Sequence, residues 1–218
     1  MDDIESIDKQ LKEFFGTTNK RWNFGNEILY KMCEGNPKHK DEHVIVGKIW
    51  LIGRSYAAAI ERTKKEKTTN RFYYEDVAQK VLENCDELDG RIAELNEYER
   101  LSRDNLDKAL EAHKFLIKVF NKITGKDNHS LASKYLHFHC PSMFYIYDSR
   151  AVSAINAVAG KDGLNICKEL HKPDLKEYDK DYADFCAKAL ALQEYIEKEH
   201  GQKVTPRDID NFLLYYCD

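Results

Sequence analysis

The sequence predicts an all-α protein, a single-domain helical array, and three observations predict it. Apolar residues recur at spacings of three and four over long stretches, as in Ile45, Ile49, Ile52, Tyr56 and Ala59, which is the pattern of an amphipathic helix. The four prolines, Pro37, Pro141, Pro173 and Pro206, fall between such stretches and act as punctuation. No stretch shows sustained two-residue alternation closed by hairpin turns. With 218 residues, 42% of them hydrophobic and 33% charged, the chain is long enough to bury a core. It is expected to form one domain over residues 1–218, or two closely packed lobes.

The elements follow in order. Asp2 to Phe15 reads as a first helix, stopped by Gly16. Arg21 to Cys33 reads as a second, closed by Gly35-Asn36-Pro37. His43 to Arg62 is a third, apolar on most sides and expected at the centre of the fold. Thr63 to Arg71 is a polar connector carrying Lys64, Lys65, Lys67 and Arg71. It is either a phosphate-binding edge or a solvated loop. Phe72 to Glu99 holds one or two helices. Leu106, Leu110, His113, Ile117 and Phe120 mark the next, which ends near Gly125. Leu131 to Phe138 is short and is stopped by Pro141. Asp148-Ser149 open a helix through Ala151, Ile155 and Val158. Tyr178, Tyr182, Phe185, Ala189, Leu192 and Ile196 trace a long helix ending at Gly201. Thr205-Pro206 opens the last, a cap residue before the favoured first-turn proline, with Ile209, Leu213 and Tyr216 on one face.

Composition removes several function classes. No apolar run reaches the roughly 20 residues that cross a bilayer; the longest, Val44 to Ile60, is broken by Lys48, Arg54 and Ser55. The acidic N-terminus lacks the apolar segment of a secretory signal. The six cysteines, Cys33, Cys85, Cys140, Cys167, Cys186 and Cys217, are scattered without a CxxC pair, so reduced thiols in a cytoplasmic protein are expected. His137 and His139 stand two apart, on nearly opposite faces of a helix, so no metal is expected. The net charge of −4 does not announce a nucleic-acid partner, which leaves a local basic face as the route to one.

The unusual segment is His129 to Val152, HSLASKYLHFHCPSMFYIYDSRAV. A short helix runs into a proline turn, then an aromatic stretch (Phe144, Tyr145, Tyr147), then an aspartate at a helix start. This segment resembles the active-site region of the helix-hairpin-helix DNA glycosylase superfamily, particularly its 8-oxoguanine glycosylase branch. There a helix with a small residue near its start leads through a proline turn and a short hydrophobic stretch to a catalytic aspartate. Ala132 matches the small residue, Pro141 and Tyr145-Ile146-Tyr147 the connector, and Asp148 the aspartate. Ile-Tyr-Asp-Ser-Arg looks like a variant of divergent bacterial members. The likeness covers about a tenth of the chain.

The resemblance implies a helix-hairpin-helix glycosylase-like fold, DNA as partner, no cofactor, and hydrolysis of an N-glycosidic bond. Asp148 would stabilise the charge that builds on the sugar. Phe138, Tyr145 and Tyr147 would wall a pocket for a flipped base. Arg150, Arg54 and His129 would contact base or backbone. Two departures shape the expectation. The stretch matching the family's glycine-rich hairpin, Ile123 to His129, has one glycine, Gly125. The family's Schiff-base lysine falls near His129 and Ser130, and Lys134 lies about one turn later. Hydrolysis without strand cleavage is therefore expected, with Lys134 as a secondary catalytic candidate.

Bland readings stand beside these. Asp148 is also an ordinary helix N-cap. Lys134 is also a surface lysine. Arg54 is also half of an ion pair, with Glu61 or Asp148 as partner. The 13 tyrosines suit helix packing as well as base stacking. Two other function classes remain: a non-catalytic nucleic-acid or nucleotide-binding helical protein, and a protein-interaction module of a bacterial defence or stress system. The last would use Phe212 to Tyr216 as its partner surface.

Overall fold

The protein is described by a computed structural model covering residues 4–17, 23–63, 71–159 and 178–217. The described residues form ten α-helices, one 3-10 turn and one π-helical segment, with no strand. None of the helices is long and apolar enough to cross a membrane. The chain divides into two compact units. One is residues 22–101 with 105–144; the other is 1–21, 102–104 and 145–218.

The first unit holds α2 (Asn23–Gly35), α3 (Glu42–Ser55), the 3-10 turn Ile60–Thr63, the π-helical Phe72–Ala78 leading into α4 (Gln79–Leu82), α5 (Cys85–Asn96), α6 (Leu106–Thr124) and α7 (His129–His139). Asp41 starts α3 by accepting from the N–H groups of His43 (2.8 Å) and Val44 (3.3 Å). Gly125 ends α6 in the left-handed region, φ 73°. The middle of the unit is α7, which packs on α2, α3 and α6. Every residue from Leu131 to Cys140 is buried.

The centre is thus α7 and not the third helix. Residues Ile45, Ile49 and Ile52 of α3 do face the core, but Trp50 and Leu51 are exposed. The third helix also stops at Ser55, short of the expected Arg62. Tyr56 caps it and Ala57 takes φ 53°. The chain then folds back so tightly that a Cβ on Gly53 would lie 3.1 Å from the Ala59 Cα. Glycine at position 53 is what lets the reversal pack.

The second unit holds α1 (Ile4–Gly16), α8 (Ser149–Ala159), α9 (Lys180–His200) and α10 (Pro206–Cys217). Helix α10 packs on α1, α8 and α9. Phe14 of α1 meets Phe212 edge-on at 5.6 Å. Phe212 and Leu213 are buried, while Tyr215 is exposed and Leu214 and Tyr216 are half-buried, so only part of the expected partner surface of Phe212 to Tyr216 is core. Helix α9 is capped by Asp179, which accepts from the Tyr182 N–H at 2.8 Å, and ends at Gly201, φ 65°. Helix α10 opens with a reciprocal cap. The Thr205 N–H donates to Asp208 Oδ2 (2.9 Å), and the Asp208 N–H donates to Thr205 Oγ1 (3.2 Å).

Candidate functional site

The segment 129–152 is shared between the units, which divide between Phe144 and Tyr145. Lys134, Phe138 and His129 belong to the first unit, as does Arg54. Asp148, Tyr145, Tyr147 and Arg150 belong to the second.

In the second unit, Asp148 sits half-buried before α8. Its Oδ1 accepts from the N–H groups of Arg150 (3.1 Å) and Ala151 (3.0 Å). Those are two of the donors that a helix start leaves unpaired. The cap fixes the direction of the carboxylate and sets it against the positive end of α8. Tyr147 is half-buried and packs edge-on against Tyr182 (5.9 Å) and Phe185 (5.3 Å). Burial and the nearby Asp181 and Asp179 hold its phenol above the usual range. Tyr145 is buried; its hydroxyl donates to Gln193 Oε1 (2.7 Å) and its carbonyl accepts from the Tyr182 hydroxyl (3.1 Å). Arg150 is exposed in the first turn of α8.

In the first unit, Lys134 is 2% exposed and so is not a surface lysine. Its Nζ donates to Ser130 Oγ (2.9 Å) and the Tyr56 carbonyl (3.1 Å), and lies 5.6 Å from the centre of the Tyr56 ring. Phe138 is buried between Tyr30 (4.8 Å) and Tyr56 (5.4 Å). The structure therefore brings Lys134 and Phe138 to the same tyrosine. His137 Nδ1 donates to the Phe144 carbonyl (2.7 Å), which leaves Nε2 to accept from the Tyr30 hydroxyl (2.6 Å). His129 begins α7, and its carbonyl accepts from His113 Nε2 (3.2 Å). Arg54 is half-exposed, paired with Glu61 and set over the Trp50 ring. Of the basic connector, Lys64, Lys65 and Lys67 lie outside the described residues, while the exposed Arg71 approaches Glu75.

A second polar cluster in this unit has no counterpart in the sequence reading. His39, in the α2–α3 loop, is fully buried. Its Nδ1 donates to Asp89 Oδ1 of α5 (2.6 Å), and its Nε2 accepts from the Tyr135 hydroxyl of α7 (2.7 Å). The His139 ring lies 5.0 Å from both His39 and Tyr135. Lys48 of α3 is fully buried, with Nζ 3.3 Å from the Lys38 carbonyl. Burial and then the Lys48 charge lower His39 to about 4 against the pull of Asp89. The same causes, with His39 added, hold His139 well below its ordinary value. Burial lowers Lys48 to about 8 and raises Cys33 to about 12. Residues 39, 48, 89, 135 and 139 come from four separate elements, so no local motif marks them.

Among the described residues no three His, Cys, Asp or Glu side chains are grouped to hold a metal. Cys33, Cys140 and Cys186 are buried thiols, Cys217 is exposed, and Cys167 lies outside the described residues. No protein-family model, no curated protein and no solved structure matches this chain.

Proposed function

We propose that this chain binds a nucleic-acid base and hydrolyses its N-glycosidic bond, with Asp148 as the essential carboxylate. The observation that carries the reading is the seat of Asp148. It is half-buried, follows an aromatic stretch, and is held in one orientation by two backbone N–H groups of α8. Breaking the C1′–N bond leaves the electron pair on the base and positive charge on the sugar. A pre-aimed carboxylate stabilises that charge without reorganising, and water then adds to C1′, its proton ending on the departed base. The all-helical fold and the short helix α7 before the aspartate agree with the resemblance drawn from the segment 129–152. Tyr147 and Arg150, which belong to the same unit as Asp148, are the residues we assign to base and backbone binding.

Asp148→Asn tests the reading cleanly, because asparagine caps a helix as well as aspartate does. The fold is retained while the charge is lost. Duplex and single-stranded oligonucleotides carrying 8-oxoguanine, uracil, hypoxanthine or alkylated bases should release base with the wild type. Asp148→Asn should be slower by about a hundredfold or more. Release that is unchanged in Asp148→Asn would sink the assignment.

A second reading has its own observation. Phe24 and Ile28 stand one turn apart on α2, at 78% and 50% exposure, and Trp50 and Leu51 are exposed on α3. Such apolar surface suits an interaction module. Base release from no substrate, with wild type and variant both folded, would favour it.

A further inference from the structure

The α2–α3 loop, residues 36–41, has no regular structure of its own, yet it carries a fully buried histidine. Lys38 and Lys40 on either side are exposed, so His39 is the loop's anchor. Its ring joins α5 to α7 through Asp89 and Tyr135, and its own N–H lies 3.4 Å from Asp89 Oδ2. The titratable groups around it come from five elements: Lys38 from the loop itself, Cys33 from α2, Lys48 from α3, Asp89 from α5, and Tyr135 and His139 from α7. Outside, Lys40 pairs with Asp86 at 3.3 Å.

This arrangement suits only an uncharged ring. One carboxylate, Asp89, already faces the buried Lys48 ammonium. A proton on His39 or His139 would add a second buried cation with no second anion. It would also reverse a hydrogen bond. Protonated His39 Nε2 must donate, so the Tyr135 hydroxyl, fully buried, would have to stop donating to it. His139 Nε2 is buried and has no hydrogen-bond partner among the described residues, so the cluster holds an unmet polar group before any proton arrives. The loop, in contrast, can carry a charged His39 into water by moving a few residues.

We propose that His39 is an acid-released clasp: protonation of the His39–His139 pair withdraws the α2–α3 loop from its seat on α5 and α7 while the helices around it stay folded. Released His39 takes its proton in water at the ordinary histidine value of 6.5, whereas the clasped ring resists it down to about 4. The clasped loop is therefore fully favoured above 6.5 and loses ground as pH falls from there toward 4. The change is a local opening, distinct from loss of the unit.

Amide hydrogen exchange of the wild-type chain at about pH 7 and about pH 5 tests this, read as protection factors that correct for the chemical rate at each pH. The open population read at the His39 amide, which is bonded to Asp89, should rise about tenfold or more, with the buried amides of α6 staying far more protected than the loop at both pH values. Loop and α6 amides that exchange with one common opening free energy would overturn the clasp, because acid would then act only through global unfolding. Unchanged protection in the loop would overturn it equally. His139→Phe keeps an aromatic ring and removes one proton acceptor, so its loop should open over a shallower pH profile. A profile identical to wild type would overturn the role of the pair.

Discussion

Residues in this chain are decided by what surrounds them more than by their type. Lys134 and Lys48, two residues of a kind that belongs in water, are buried and hold backbone carbonyls. The expensive burial of an ammonium is tolerated because each has oxygen partners. Ala57 shows the opposite economy. It is the one non-glycine residue at positive φ among those described, in a region that costs an L-residue roughly 1 kcal/mol. Ala57→Gly should therefore raise stability by about 0.5–1 kcal/mol, read as a higher urea midpoint at unchanged slope. A lower midpoint would mean that the methyl group packs better than the turn geometry indicates. The same scale limits what the sequence could tell. The ring of His39 and the carboxylate of Asp89 meet at 2.6 Å across fifty positions of chain, and no spacing rule connects them. Asp148 as a cap was legible, because the cap and the N–H groups that donate to it are neighbours in sequence.

Elements were legible where apolar spacing and end signals agreed. Gly125 and Gly201 end α6 and α9 at the expected places, both with positive φ, since only glycine reverses a helix end cheaply. Thr205-Pro206 opens α10 as read. Its capping pair makes a clear prediction. Thr205→Ala removes the acceptor of the Asp208 N–H and should cost about 1 kcal/mol, measured as a fall in the denaturant midpoint, with Thr205→Ser restoring it. An unchanged midpoint in Thr205→Ala would show that α10 is held by its buried face alone. The third helix was overextended because nothing in Ser55-Tyr56-Ala57-Ala58 signals a stop; the break comes from tertiary packing of Gly53 on Ala59. Nor did local pattern mark the π-helical turn at Phe72–Ala78. The importance of α7 was hidden for a related reason. Its sequence carries Lys134, His137 and His139 and looks half-polar, but Lys134 and His137 find hydrogen-bond partners inside and the His139 ring is buried against His39 and Tyr135.

At the scale of the whole molecule, the buried basic groups set how stability varies with pH. His39 and His139 have depressed folded values, so they bind protons more weakly folded than unfolded. Stability should be level above pH 6.5 with respect to them and fall as pH drops toward about 4. Lys48, lowered from 10.5 to about 8, should make stability rise with pH between those two values, since the unfolded chain there holds the extra proton. Urea unfolding at a series of pH values should show both limbs, with a loss of a few kcal/mol on the acid side. A flat acid limb would mean that these histidines are charged in the folded state.

The meeting of Phe14 with Phe212 has a consequence in time. The two rings are 198 positions apart, and a ribosome adds roughly 5–20 residues per second. Helix α1 therefore waits on the order of 10 to 40 seconds after its own synthesis before α10 exists to cover it. The unit that ends at Phe144 can close well before then. During that interval Ile7, Leu11 and Phe14, all buried in the finished protein, lack the partner that α10 supplies, and the newborn chain offers a greasy helix face to any chaperone waiting at the exit tunnel.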